Sequence, residues 1–425
     1  MPEYFHSVML DKDKCCGCTN CIKRCPTEAI RVRDGKASII SERCIDCGEC
    51  IRICPHRAKK AYSDNLDALE KFKYNVALPA PALFGQFNNL DDLDILLTGL
   101  KQLGFNAVFE VSRGAELVSQ ATRKLIAENK LKKPIISSAC PAVVRLIKQR
   151  FPDLCENVLP LNAPMEVAAM LARRDAVKET GLPEDEIGVF FITPCPAKVT
   201  EIYRPTAGNT SSHCDGAIAI SKVYTSLSHA MDKLKTVEPL GNSGLIGVSW
   251  ATSGGESAAM LGDKYLAADG IENVIHVLEE LEDERIRDVD FIELNACAGG
   301  CVGGVLNVEN PFVAQARIHT LRKYLPISQN HLEGGVPDDM KWRDELEYDE
   351  NILSLSSDLG EAMDMMEEMD KIQSRLPGLD CGACGAPSCH ALAEDIVRGS
   401  SKETQCIFRL REQLLRVYKD FTDVI

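Results

Sequence analysis

The chain has 425 residues, 45% of them hydrophobic, which is enough for two to four domains with apolar cores. A formal net charge of −15 speaks against a nucleic-acid partner, because phosphate binding needs clustered Lys and Arg. No apolar run reaches the length of a membrane span, and the N-terminus, MPEYFHSVMLDKDKCC, is too polar for a signal peptide, so a cytoplasmic protein without membrane insertion is expected.

Nineteen cysteines in a chain with no export signal, at short spacings, point to metal rather than disulfides. Residues 15–26 read CCGCTNCIKRCP and residues 44–55 read CIDCGECIRICP. Both are C-x2-C-x2-C-x3-C-P, an internal repeat. In this pattern three cysteines wrap one cubane and the fourth, before Pro, ligates the other. Cys15, Cys18, Cys21 and Cys54 are thus assigned to one [4Fe–4S] cluster, and Cys44, Cys47, Cys50 and Cys25 to a second. Cys16 is left over. Zinc competes for single CxxC pairs but not for eight interleaved cysteines. The repeat resembles bacterial ferredoxins, so residues 1–70 are expected to form a ferredoxin-like α+β domain that carries electrons.

From about 74 to 325 short apolar runs alternate with helical patterns. Strands are expected at YNVALPAP, NAVFEV, KPIISSA, IGVFFIT, GAIAIS, GLIGVSW and DVDFIELNA. Helices are expected over 90–103, 114–129, 141–151, 163–181 and 221–236. Such alternation predicts an α/β domain of largely parallel sheets over 71–330. Ligands in such sheets sit beyond the carboxyl ends of strands. Three of these ends carry cysteines: Cys140 in SSACP, Cys195 in TPCPAKVTE, and Cys297 with Cys301 in ELNACAGGCVGG. Together they supply four thiolates, enough for one more [4Fe–4S] cluster. Cys155 and Cys214 lack such context and read as structural.

Residues 331–374 read as an acidic linker with one helix, whose Leu and Met recur at helical intervals. Residues 375–425 contain LDCGACGAPSCH and then Cys406. The spacing of Cys381, Cys384, Cys389 and Cys406 is C-x2-C-x4-C-x16-C. It resembles the small four-cysteine [4Fe–4S] domain of the B subunit of Rnf-type complexes and of corrinoid iron–sulfur proteins. A small helical cluster domain is expected there, with a zinc knuckle as the competing reading. His390 reads as an exposed residue at a helix start.

The three cysteine stretches of the middle domain resemble the signature motifs of [FeFe]-hydrogenases, roughly TSCCP, MPCxxKxxE and ExMxCxxGCxxGG. The likeness extends to VFEVSRGAEL, FPDLCENV, NAPMEVAAML and SGGESAAML. It implies an H-cluster between two lobes: a [4Fe–4S] cubane held by Cys140, Cys195, Cys297 and Cys301. Cys301 would bridge to a diiron subsite bearing CO, cyanide and azadithiolate. With the other sites, that makes three additional [4Fe–4S] clusters. The resemblance further implies that Lys198 hydrogen-bonds a cyanide, that Glu201 pairs with Lys198, and that H2 and protons are the substrates. It also implies hydrogenase maturation proteins as partners.

This sequence departs from the family pattern where protons move. Ala139 stands where active members place a proton-transferring cysteine, and an alanine exchanges no proton. The text after GAEL reads VSQAT, Ala163 replaces a serine, and Thr193 and Asn295 replace methionines. Glu256, in SGGES, is the candidate replacement donor; the competing reading is an acid placed at a helix N-terminus by the dipole. Glu110 and Cys214 are weaker options. Slow turnover follows, and with it a hydrogenase acting in H2 sensing or redox signalling with a redox or signalling protein partner. One alternative is a metabolic hydrogenase coupled to ferredoxin or an NAD(P)-linked partner. The other is a non-catalytic NARF-like iron–sulfur assembly protein, against which Lys198, Glu201 and the duplicated ferredoxin motif argue.

Overall fold

The computed structural model describes residues 5–88, 90–205, 211–348 and 350–422. Contacts divide the chain into two compact units. The larger comprises Met1–Ser7, Ile45–Gly48 and Ala61–Tyr348; the smaller comprises Val8–Cys44, Glu49–Lys60 and Asp349–Ile425. Among the described residues no helix is long and apolar enough to cross a membrane.

Two parallel sheets form the larger unit. One runs Ala107–Val108, Tyr74–Pro79, Ile187–Thr193, Gly216–Ala219, with Tyr74 in register with Ile187 and Phe190 with Gly216. The other runs Tyr265–Asp269, Phe291–Asn295, Ile135–Ile136. Every residue of Ile187–Thr193 is buried. That is why its text is continuously apolar: a parallel strand covered on both faces has no solvent side to alternate toward. The helices Leu93–Lys101, Val111–Glu128, Pro141–Arg150, Pro164–Thr180 and Ile220–Asp232 occupy the five expected positions.

Three expectations are corrected. GLIGVSW is not a strand but the helix Leu245–Ser249. Gly247 lies so close to the carbonyl of Ser112, on Val111–Glu128, that a Cβ would collide with it. A short apolar run does not distinguish a buried strand from a buried helix; packing decided. The strand Tyr265–Asp269 was not anticipated, because it is a short sheet-edge strand, YLAAD, whose side chains are partly exposed. The acidic segment is not a single linker. Met340 is 2% exposed in the core of the larger unit, the Asn162 N–H donates to its carbonyl at 2.8 Å, and the Trp342 N–H donates to that of Pro160 at 3.1 Å. Asp349 lies outside the described residues.

The smaller unit joins most of the ferredoxin repeat to the C-terminal cysteine segment, which the sequence presented as separate domains. The helix Leu359–Arg375 buries Met369 and Ile372 against Leu376, Ala391 and Leu392, while Met363 and Met366 face solvent. The helix Cys389–Val397 is capped by Ser388, whose hydroxyl accepts the Ala391 N–H at 3.0 Å. It carries Glu394 and Asp395, which meet three arginines of the ferredoxin repeat. Arg31 Nε lies 2.8 Å from Asp395 Oδ2, Arg33 Nη2 lies 2.6 Å from the same oxygen, and Arg43 pairs with Glu394. The Val32 N–H also donates to the Gly385 carbonyl at 2.8 Å.

Candidate metal centre

Each of the four middle cysteines follows a strand of a parallel sheet. Cys140 and Cys195 cap the helices Pro141–Arg150 and Pro196–Tyr203, each with Pro at the first helical position. Proline fits there because its missing N–H has no partner to lose. The helix dipole at that end favours a thiolate. The two helices leave different sheets, one after Ile135–Ile136 and the other after Ile187–Thr193. Cys297 and Cys301 follow Phe291–Asn295. Between them Gly300 adopts φ 85°, and its Cβ position lies 2.5 Å from the Ser253 nitrogen, so only glycine fits the turn. The Ser253 N–H donates to the Gly299 carbonyl at 3.1 Å, which draws the SGGES loop beside the cysteine loop.

Burial pushes the Cys195 thiol up to about 11, helped by Cys140, while the Lys198 ammonium opposes it. Burial, then the charges of Cys195 and Cys140, push the Cys301 thiol far up, again with Lys198 opposing. Cys301 is nonetheless surface-accessible. Thiols that crowd one another in a low dielectric resist ionising unless a cation neutralises them. A cationic iron–sulfur core satisfies that donor set, so the residues fit a cluster. Thr193 holds the turn at Cys195: its hydroxyl accepts the Cys195 N–H at 3.2 Å and donates to the Cys195 carbonyl at 3.1 Å.

Glu201 pairs with Arg145 at 2.9 Å, an ion pair that the resemblance does not imply. Arg145 is 5% exposed and needs a counter-charge, whereas Lys198 is half-buried and acts on the cysteines. Glu256 is buried and accepts the Ser137 hydroxyl at 2.6 Å; the same Ser137 oxygen accepts the Ala139 N–H at 3.1 Å. Burial, then the charge of Glu293, pushes the Glu256 carboxyl well up. Glu293 accepts the Gly254 and Ser257 N–H groups at 3.0 and 2.8 Å and the Asn295 amide at 2.7 Å. Burial pushes the Glu293 carboxyl up as well, and these donors oppose that rise. Burial also pushes Glu110 up to about 7, but its partners are Asn242, Ser243 and Arg113 rather than a cysteine of the site. Cys214 is buried beside Glu166, whose charge adds to burial in raising its thiol.

Sequence reasoning missed Asp46, between Cys44 and Cys47. It is 1% exposed and accepts the Ser7 N–H at 3.0 Å and the Thr200 hydroxyl at 2.9 Å, with Arg145 Nη1 at 3.4 Å. Thr200 and Arg145 sit on the two helices that Cys195 and Cys140 cap. Cys47, Cys140 and Cys195 pack against one core. One signal was available: Asp46 occupies the place of Gly17 in the other repeat, and both are left-handed, at φ 54° and 70°.

In the ferredoxin repeat Cys15, Cys18, Cys21 and Cys54 line one cavity. Backbone N–H groups of Ala29, Ala58 and Ala37 point at the sulfurs of Cys25, Cys54 and Cys15 at 3.2, 3.3 and 3.4 Å, as cluster thiolates favour. Cys384, Cys389 and Cys406 share the C-terminal core, and Cys381 and Cys406 raise the Cys384 thiol after burial does. His390 is exposed, as expected.

A family model for the C-terminal domain of the iron-only hydrogenase large subunit matches residues 73–265 and 262–305. The chain belongs to the iron-only hydrogenase family. A 4Fe-4S dicluster model matches residues 7–55, and an Fe-S cluster model matches residues 376–408. The NADP-reducing hydrogenase subunit HndD of Solidesulfovibrio fructosivorans is 22% identical over 68% of this chain, which spans 55% of that relative's length. The cytosolic Fe-S cluster assembly factor NAR1 of Scheffersomyces stipitis is 25% identical over 42% of this chain and 38% of its own. A solved variant of [FeFe]-hydrogenase HydA1 from Chlamydomonas reinhardtii shares the fold: TM-score 0.53 at 16% identity, over 66% of this chain and 98% of that one. The chain is a divergent member of this hydrogenase family, and it carries iron–sulfur domains on both sides of the family's common region.

Proposed function

We propose that the chain is a low-turnover [FeFe]-hydrogenase that works in H2 sensing or redox signalling. An H-cluster held by Cys140, Cys195, Cys297 and Cys301 would, when bound, supply the interconversion of H2 with protons and electrons. The observation that carries the reading is at Ala139. The position offers a backbone N–H to Ser137 and no exchangeable side-chain proton. Glu256 takes the donor role one residue deeper: it holds a proton, and the Ser137 hydroxyl links it to the Ala139 turn. Lys198 supplies positive charge beside Cys195 and Cys301, suited to a cyanide ligand. Arg145, braced by Glu201 and Asp46, positions the Cys140 helix. The dicluster domain passes electrons to a redox or signalling partner, and maturation proteins supply the diiron half.

A second reading, an iron–sulfur assembly role, is favoured by the NAR1 similarity. Loading the purified chain with a synthetic diiron complex and recording infrared spectra separates the two. CO and cyanide bands are expected. A cluster-loaded chain that shows none would support the assembly reading instead.

A further inference from the structure

The two halves of the ferredoxin repeat differ at the position after Ala29 and Ala58, which is buried in both. Cys25-Pro-Thr-Glu-Ala29 leads to Ile30, and Cys54-Pro-His-Arg-Ala58 leads to Lys59. Both side chains are buried, Ile30 at 2% exposure and Lys59 at 3%. The next residue, Lys60, turns outward and pairs with Asp11 at 2.9 Å. Lys59 turns inward, and its Nζ has no hydrogen-bond partner among the described residues. An unpaired ammonium taken out of water is costly enough that something anionic must face it. Lys59 lines the cavity of Cys15, Cys18, Cys21 and Cys54, a cavity lined by none of Cys25, Cys44, Cys47 and Cys50. A [4Fe–4S] core with four thiolates is net anionic and gains one more negative charge on reduction. A fixed cation beside it favours the reduced form, and at this burial the field is weakly screened.

We propose that Lys59 sets the potential of the dicluster half: its ammonium makes the cluster of Cys15, Cys18, Cys21 and Cys54 the easier of the two to reduce. One electron moves from the reduced cluster of Cys44, Cys47, Cys50 and Cys25 to this one, oxidising the first and reducing the second, with no bond made or broken. The C-terminal cluster segment packs beside ligands of both clusters: Ser388 donates to Glu28, near Cys25, at 2.9 Å, and Glu394 pairs with Arg43, next to Cys44. Gly382 approaches Ile22, next to Cys21, with its Cβ position 3.3 Å from Ile22 Cδ1, and Arg33 Nη1 donates to the Cys384 carbonyl at 2.7 Å.

The test is an EPR-monitored redox titration of the full chain carrying its [4Fe–4S] clusters, and it needs neither the diiron subsite nor H2. Its outcome is thus independent of the hydrogenase reading. A Cys18→Ser variant, which alters one cluster's spectrum, assigns the signals. Lys59→Met is expected to lower the reduced-to-oxidised ratio of the Cys18 cluster at fixed potential by about tenfold, or about 59 mV for one electron. The other cluster shifts less, since the Lys59 charge also reaches its ligand Cys25, and Lys59→Arg retains the native value. Lys59→Gln is titrated if the methionine variant loses the cluster. Unchanged midpoints with full iron content, or a shift confined to the other cluster, would overturn the proposal.

Discussion

Ser137 uses one oxygen twice, accepting from the Ala139 N–H and donating to Glu256. That geometry separates two readings of Glu256 that its sequence left open. It does sit in the first turn of the short helix Gly255–Ala258, as a dipole-favoured acid would. Yet burial and the charge of Glu293 push its carboxyl well up, which disfavours the charged form a dipole-favoured acid would take. Glu256→Gln keeps the size and still accepts the Ser137 hydroxyl, but carries no exchangeable acid. H2 turnover of the H-cluster-loaded chain is expected to fall about 10²-fold with unchanged infrared bands. Equal rates across pH in the variant would remove Glu256 from the proton route. Ala139 was legible because a motif frames it; Ser137 and Glu293 were not, since only folding brings them to Glu256.

At the scale of elements, the Ile45–Gly48 segment belongs to the larger unit although its flanking residues belong to the smaller. Asp46 is the anchor. Its left-handed backbone is tolerated by aspartate but is glycine's natural territory. Asp46→Gly therefore relieves the backbone while leaving the Thr200 hydroxyl without its acceptor, the Ser7 N–H with Thr200 Oγ1 alone and Arg145 with Glu201 alone. A buried unsatisfied donor costs about 1–3 kcal/mol, so a net loss of that order is expected in denaturant unfolding. A variant as stable as the parent would show that Asp46 does not anchor the segment. The CxxC spacing predicted the ligands but not the anchor, because any residue satisfies x in the motif. The GLIGVSW helix was missed for a related reason: four apolar side chains in a short run satisfy either period until a neighbour is in place.

For the molecule as a whole, the joining of the ferredoxin repeat to the C-terminal segment rests on buried charge. Burial alone would raise the Glu394 carboxyl, but Arg43 and Arg398 hold it down to about 2. Glu394→Ala leaves the Arg43 guanidinium buried without its partner, at an expected cost of about 3–5 kcal/mol. Limited proteolysis should then release the C-terminal segment; equal resistance in the two proteins would argue against this pairing as the latch. The pH dependence has a definite sign. The folded carboxyl titrates near 2 and the unfolded one near 4.5, so the unfolded chain binds more protons between them. The stabilisation is present above about pH 4.5 and is lost as pH falls toward 2. Neither Arg43 nor Glu394 stands out in sequence, since 351 residues separate them.

The sequence by itself determined the family and the parallel α/β class, and it pointed to the proposed cluster ligands and to Ala139 at the proposed proton-donor position. Metal ligation and strand burial leave spacing and period in the text, and a motif makes a substitution visible. Only the tertiary structure decided which units the chain forms, that Glu201 serves Arg145, that Ser137 reaches Glu256, and that Lys59 turns inward while Lys60 turns out. Those outcomes depend on the direction a side chain takes and on partners distant in sequence, and no local pattern encodes either.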